Sequence, residues 1–175
     1  MDQSLLLVFN LAVLIVSVVA HEVSHGLVAN KLGDPTARDL GRLSFNPLKH
    51  LDFTGSFLVP LISYLAGGFI FGWAKPVPYN PYNLKNQKWG PAAVAAAGPL
   101  SNFIIALVFG LGLRFISVVP PAAALAVGVI IYINILLGVF NLIPIPPLDG
   151  SKILAAVLPY RYERQLAMLE RYGMF

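Results

Sequence analysis

The chain has 175 residues, of which 57% are hydrophobic and only 11% are charged. A soluble domain carries roughly 25% charged residues, so this composition excludes a water-soluble globule and predicts an integral membrane protein with a few helical spans. The net charge of +4 comes from basic residues scattered over short loops, which favours cytoplasmic loops over a nucleic-acid surface. The absence of cysteine excludes disulfides and thiolate metal ligands.

The first predicted helix covers residues 4–31, is apolar throughout, and ends at the stop signal formed by Gly33 and Pro35. A cleaved signal peptide is the alternative interpretation of its first part. That interpretation requires a positively charged N-terminal region, whereas Asp2 is the only charged residue before His21. We therefore expect this helix to be retained as a membrane span.

The second predicted region is a charged surface loop over residues 31–52, in which residues 41–47 (GRLSFNP) alternate like a short β-strand. Residues 53–72 form another apolar run, but Pro60 and the pair Gly67-Gly68 interrupt it. We expect this run to enter the membrane and return to the same side, which these interruptions allow. Non-helical backbone at membrane depth is tolerated when it is buried against protein or a cavity.

The remaining part of the chain begins with a proline-rich, lysine-containing loop. Further helices are predicted over residues 91–117, 122–143 and 150–158, and an amphipathic stretch over residues 159–175. The predicted fold class is an all-α polytopic membrane protein of one domain, residues 1–175. It has three main transmembrane helices, a re-entrant segment and short β-strands near the cytoplasmic face.

The candidate metal-binding and catalytic residues of the first helix are His21, Glu22 and His25, which form the motif H-E-x-x-H near its end. Positions i and i+4 lie about 40° apart around a helix, so both imidazoles can hold one zinc ion. Glu22 can then reach a water on the metal without being a ligand. Gly26 is expected to leave room beside the metal. Two buried, hydrogen-bonded histidines are the alternative, but such groups in a span are costly without a function.

A third zinc ligand must come from elsewhere in the chain. His50 and Asp52 lie in the polar loop, where a solvated surface position explains them. Asp149 is flanked by prolines and aliphatic residues, where its carboxylate has only one other explanation, the N-cap of the helix over residues 150–158. A carboxylate ligand that leaves a fourth position open for water is the better explanation.

The motifs HEVSHG, KLGDPTA, GRLSFNPLKH, GWAKPVPYNP, GPLSN and NLIPIPPLDG are spread over nearly the whole chain. With them the chain resembles the site-2 protease family of intramembrane zinc metallopeptidases. The resemblance implies six site residues: the zinc ligands His21, His25 and Asp149, the catalytic acid/base Glu22, and Asn102 and Asn141 near the metal. Members of that family usually continue past LERYG into another hydrophobic segment, so we expect this chain to be shortened before it.

Asn102 and Asn141 are expected to take part in catalysis, Asn141 as an amide donor to an oxyanion or to the substrate backbone. Hydrogen bonding between packed helices is the alternative for each of them. The sequence leaves this choice open.

The predicted function is zinc-dependent hydrolysis of peptide bonds in or near transmembrane segments of membrane-protein substrates, as in regulated intramembrane proteolysis. One Zn²⁺ per chain is expected, with a transmembrane protein and membrane lipid as partners and no nucleic acid. A homo-oligomer is compatible with the sequence. The expected location is the cell membrane, with several spans and the active site nearer the cytoplasmic face. An inactive zinc-bearing scaffold that binds transmembrane helices is the alternative function, and a transporter is a third.

Overall fold

The computed structural model describes residues 2–52, 55, 58–67, 75–116 and 118–159. Its helices are, in chain order, α1 (Gln3–Lys31), α2 (Thr36–Asp39), α3 (Val59–Gly67), α4 (Gly90–Phe115), α5 (Pro121–Asn141) and α6 (Asp149–Val157). Short 3-10 turns at Pro47–His50 and Pro81–Asn83 lie in the loops.

Three of these helices, α1, α4 and α5, are long and apolar enough to cross a membrane. Their ends lie within two residues of the predicted ends. The prediction of a mainly helical, multi-pass membrane protein is therefore confirmed.

The centre of the bundle is α4, which packs against α1, α5 and α6. Small residues allow this close approach, as is usual between helices in lipid. Where α5 crosses α4, a Cβ added to Gly138 would lie 2.8 Å from the ring of Phe103. The ring of Phe103 therefore packs directly against the backbone of α5 at Gly138.

A buried carboxylate joins the two polar loops at one end of the bundle. Asp34 is fully buried, and its oxygens accept hydrogen bonds from the backbone N–H and hydroxyl of Thr36, the N–H of Asn80 and the amide of Asn83. Burial alone would raise the pKa of Asp34, but these donors outweigh it and hold the pKa below its usual value. The loops that follow α1 and precede α4 are thus fixed to each other.

The segments on either side of the predicted re-entrant run, residues 53–72, are in contact. The N–H of Lys75 donates to the carbonyl oxygen of His50 at 2.9 Å, so the chain on either side of this run is in direct contact. Within the run, α3 has nine residues. Gly55 and Leu58 are also helical, and the other residues of the run lie outside the described residues.

Short β-strands are not confirmed, since the described part of the chain contains no strand. Over residues 41–47 the backbone bonds locally instead: the N–H of Arg42 donates to the carbonyl of Ala37, and the carbonyl of Ser44 accepts from His50. His50 is itself buried, so its expected position as a solvated surface residue is wrong. The amphipathic stretch predicted over 159–175 lies outside the described residues beyond its first position.

Candidate metal centre

The two histidines of the motif lie near the C-terminal end of α1 and point to the same side of it. Their ring centroids are 4.6 Å apart. The Nε2 atoms of His21 and His25 lie 3.0 and 3.2 Å from the same oxygen, Oδ2 of Asp149. The structure thus brings together the three residues predicted as zinc ligands, from opposite ends of the chain.

Asp149 is the first residue of α6, and its neighbour Gly150 explains how it reaches α1. A Cβ added to Gly150 would collide with the carbonyl oxygen of Leu142 and lie 2.5 Å from that of Ile143, so α6 begins directly on the end of α5. Leu148, not Asp149, occupies the N-cap position, and no side chain caps the helix. The N-cap explanation of Asp149 is therefore wrong, and its carboxylate faces the histidines instead.

Asp149 stays ionised in this position. Burial would raise its pKa, but the hydrogen bonds and positive charge that His21 and His25 supply when protonated outweigh burial and hold the pKa well below its usual range. The group facing the two rings is therefore a carboxylate with lone pairs and no proton.

The tautomers of both histidines follow from the partners of Nδ1. In His25 this atom lies 2.7 Å from the carbonyl oxygen of Val94, which can only accept, so Nδ1 carries the proton. In His21 it lies 2.7 Å from Oδ1 of Asn102, another acceptor. In this tautomer a neutral ring has the lone pair of Nε2 directed at the carboxylate of Asp149.

Three lone pairs converge at this point, two from nitrogen and one from oxygen. Without a cation, the rings would have to take up extra protons to bond the carboxylate. Two imidazole nitrogens and one carboxylate oxygen are a donor set that zinc uses in catalytic sites. The residues present therefore fit a zinc ion.

Glycine provides the space beside these ligands, at Gly98 on α4. A Cβ added there would lie 2.5 Å from the Nε2 atom of each histidine. The expectation that Gly26 leaves this room is wrong. A Cβ at Gly26 would instead lie 2.6 Å from the side chain of Leu43 and 2.7 Å from that of Val77. This glycine therefore allows the two loops to pack closely against α1.

Glu22 lies beside the ligand set and is held by the loop before α4. Its Oε2 accepts a hydrogen bond of 2.8 Å from the backbone N–H of Val77. Since Pro76 and Pro78 have no N–H, this is the one backbone donor that the tripeptide offers. One carboxylate oxygen of Glu22 and one ring nitrogen of each histidine all lie within 4.8 Å of one another.

Comparison with known proteins decides the family. The model of "Peptidase family M50" matches residues 9–130 and 122–173. The chain belongs to peptidase family M50. The predictions of a site-2 protease relative and of a zinc metallopeptidase are confirmed at this level.

Curated relatives of this M50 chain include three from bacteria and archaea. It is 39% identical to "Putative zinc metalloprotease YwhC" of Bacillus subtilis, over 91% of the chain and 74% of that protein. It is 29% identical to "Putative zinc metalloprotease Rip2" of Mycolicibacterium smegmatis, over 91% of the chain and 61% of that protein. It is 30% identical to "Zinc metalloprotease MJ0392" of Methanocaldococcus jannaschii, over 93% of the chain and 38% of that protein. No solved structure matched the chain.

In this M50 peptidase the ligand set and Glu22 line a cavity of about 170 Å³. Asn141 also lines it, with its amide donating to the carbonyl of Leu137 at 3.0 Å. Asn102 is fully buried behind His21 and is not among the lining residues, so the structure places it against a ligand and not at the reacting groups. The rejected ligand His50 also lies outside this cavity.

Sequence reasoning missed several residues of the site. Lys152 and Tyr79 line the cavity, with the Lys152 ammonium 6.0 Å from the centre of the Tyr79 ring. The backbone N–H of Val77 was also missed, because a backbone donor has no sequence pattern of its own. Lys152 follows Asp149 by three residues, the spacing of neighbours on one helix face, and this spacing could have indicated it.

Proposed function

We propose that this chain is the catalytic core of an intramembrane zinc endopeptidase, which hydrolyses peptide bonds in or near transmembrane segments of other membrane proteins. The observation that carries the proposal is the convergence of three lone pairs from His21, His25 and Asp149, with Glu22 beside them, at the end of a membrane-spanning helix. The family and the names of the relatives support it. Because the chain spans 61% and 38% of two of those relatives, the activity of the whole protein is part of the proposal.

His21, His25 and Asp149 would hold the zinc ion. When bound there, zinc would act as a Lewis acid: it would lower the pKa of water so that hydroxide is available at neutral pH, and it would polarise the scissile carbonyl. The carboxylate of Asp149 brings a negative charge to balance part of the charge of the metal.

Glu22 is the proposed general base and acid. Its carboxylate lines the cavity and is fixed through one oxygen by the N–H of Val77. It would accept a proton from the attacking water and later deliver that proton to the leaving amine. A bond to the loop in place of a bond to the histidines suits a proton carrier better than a metal ligand.

Asn141 is the proposed donor to the substrate, because its amide lies in the cavity wall. Exchanging its bond to the carbonyl of Leu137 for one to the substrate would place an N–H on the oxyanion or on a backbone carbonyl. Asn102 is proposed to act through His21.

The active site is proposed to lie nearer the cytoplasmic face, with residues 53–72 re-entering from that side. The contact between Lys75 and His50 supports re-entry. His25 lies six residues before Lys31, about 9 Å along the helix, so the site is near that end of α1. Cysteines placed at positions 49 and 85 should both react with an impermeant reagent from the cytoplasmic side only; labelling of position 85 from outside would contradict re-entry.

A substrate helix must unwind before it is cut, and strand addition to the loops is the proposed way of holding it. The segment before α4 is already engaged, because Arg42 binds the carbonyl of Lys75 and Glu22 binds the N–H of Val77. Residues 43–45, which belong to no helix, are the better candidate edge, and Phe45 there is 68% exposed. A transmembrane protein substrate and lipid remain the predicted partners.

The test is cleavage of a transmembrane reporter peptide by the purified protein in detergent. Glu22→Gln keeps the size of the side chain but cannot accept the proton, so cleavage should fall by about 10²-fold or more while zinc content is unchanged. Ser24→Ala is the control: it lies on the same helix, and its hydroxyl donates to the carbonyl oxygen of Ala20, one turn earlier. It should cleave normally.

The possible results separate the candidate functions. A Glu22→Gln variant that cleaves at nearly the wild-type rate would refute the mechanism. Loss of zinc in that variant would make Glu22 a ligand. A wild-type protein that holds zinc and binds the reporter without cutting it would be the scaffold of the alternative prediction.

A further inference from the structure

One polar residue in α5 has no role in the mechanism above. Asn134 and Gly138 are the buried residues of this helix, and Asn134 is fully buried. Burying an amide costs free energy unless its donors and acceptor are bonded, and polar groups in membrane spans usually mark function. The bonds of this amide show what it does.

The orientation of the Asn134 amide is fixed by a backbone carbonyl. Its Nδ2 lies 2.9 Å from the carbonyl oxygen of Ile130, which can only accept, and 2.9 Å from the hydroxyl oxygen of Ser17. The NH₂ group must therefore be on this side. Oδ1 is left facing α4, where it accepts from Nδ2 of Asn102 at 2.9 Å.

The orientation of the Asn102 amide follows in turn. Its Nδ2 donates to Oδ1 of Asn134 and, at 3.3 Å, to the carbonyl oxygen of Ser17. Its Oδ1 is then the atom that faces Nδ1 of His21 at 2.7 Å. An amide turned the other way would donate to Nδ1 and leave the proton of His21 on Nε2, where the ring could not bind a metal.

We propose that Asn134, together with Ser17, is a positioning residue of the metal centre. It fixes the Asn102 amide, which fixes the tautomer of His21 that presents the Nε2 lone pair to the metal. This inference rests on the proposed zinc site. It also ties the site to α5, since His21 lies on α1 and Asn102 on α4.

Hydrogen bonding that merely holds α1, α4 and α5 together is the competing explanation. It predicts lower stability when Asn134 is removed, and no particular effect on the metal. The two explanations also differ on Asn102→Asp. A carboxylate has two equivalent acceptor oxygens and needs no orienting, so this change should make Asn134 dispensable for the metal.

The experiment measures zinc affinity by competition with a chelator, in protein that carries Glu22→Gln so that no cleavage enters the readout. Asn134→Leu should weaken zinc binding by about 10- to 100-fold, the range for residues that orient metal ligands. Combined with Asn102→Asp, the same Asn134→Leu should change the affinity by less than about 3-fold, which is small on that scale. Asn134→Ser is a milder version with the same expected direction, should the leucine variant fail to fold.

Asn10→Leu is the matched control, because it makes the same change in α1, eleven residues before His21 and against the groove facing α5. Its zinc affinity should equal that of the parent. If both Asn134 variants bind zinc as tightly as the parent, the inference is overturned and the network is structural. Equal weakening with and without Asn102→Asp also overturns it. A parent protein that binds no zinc would instead overturn the proposed metal site as well.

Discussion

Two buried aspartates at the same end of the bundle have opposite surroundings. Asp34 is fully buried and faces only donors, which supply four hydrogen bonds to its two oxygens. Asp149 is 8% exposed and faces the Nε2 atoms of His21 and His25. The Nδ1 atoms of the same two rings are hydrogen-bonded to other acceptors.

The difference lies in what each carboxylate still lacks. Asp34 is complete and needs nothing from outside the protein, which is typical of a structural residue. Asp149 faces the Nε2 atoms of two imidazoles, and this combination of donor atoms is typical of a metal site. Both aspartates are buried and negatively charged, so their different roles come from their neighbours: hydrogen-bond donors around Asp34, and imidazole nitrogens that can bind a metal around Asp149.

The largest expected effect comes from Asp149→Asn. It removes the anionic ligand and should weaken zinc retention by more than about 100-fold, beyond the range for residues that only orient ligands, with loss of cleavage. Elemental analysis of the purified variant measures this. Asp34→Asn is the matched change and should keep about one zinc per chain. Equal zinc in the two variants would show that the comparison does not separate a ligand from a structural carboxylate.

Gly98→Ala tests the space in front of the ligands. The added methyl group would lie 2.5 Å from both Nε2 atoms, so zinc affinity and cleavage should fall by about 10-fold or more, as for other changes that displace metal ligands. Gly112→Ala on the same helix is the control, because a Cβ there meets nothing within 4 Å. Zinc titration of both proteins checks the prediction. Unchanged affinity in Gly98→Ala would mean that the metal lies elsewhere.

The smallest expected effect is on stability alone. Because the folded-state pKa of Asp34 is lowered, its stabilisation is present above the ordinary pKa of about 3.9 and is lost as the pH falls through the folded value. Asp34→Asn should cost about 1–3 kcal/mol at neutral pH, and less in acid, as measured by unfolding in detergent.

Asp39→Asn is the control for that measurement. Asp39 pairs with Arg38 at the surface, where both side chains are about 60% exposed, so its loss should cost less than about 1 kcal/mol. If Asp34→Asn proved no more costly than Asp39→Asn, the structural role assigned to Asp34 would be wrong.

Much of the site could be predicted from local spacing. The positions of His21, Glu22 and His25 follow from the geometry of one helix. Asp149 could be found because an apolar, proline-rich stretch offers its carboxylate few other roles. The three spans followed from apolar runs with clear ends.

The rest depends on contacts between distant parts of the chain. Asn134 meets Asn102 across 32 residues and Ser17 across 117, and no sequence spacing links them. The assignment of the metal space to Gly26 failed for a similar reason: a glycine next to the motif is indistinguishable in sequence from Gly98, which reaches the ligands from another helix. Asp34 lies in the loop predicted at the surface, and two of its partners, Asn80 and Asn83, lie more than 40 residues away.

The central claim is that zinc is held by two histidines and one carboxylate, and X-ray absorption at the zinc edge tests it most directly. The chain has three histidines, His21, His25 and His50, so the number of imidazoles is informative. We predict two imidazole nitrogens at about 2.0–2.1 Å with oxygen donors completing the shell, and the same spectrum for His50→Ala. A shell with three imidazoles, or one that changes in His50→Ala, would contradict this account of the site.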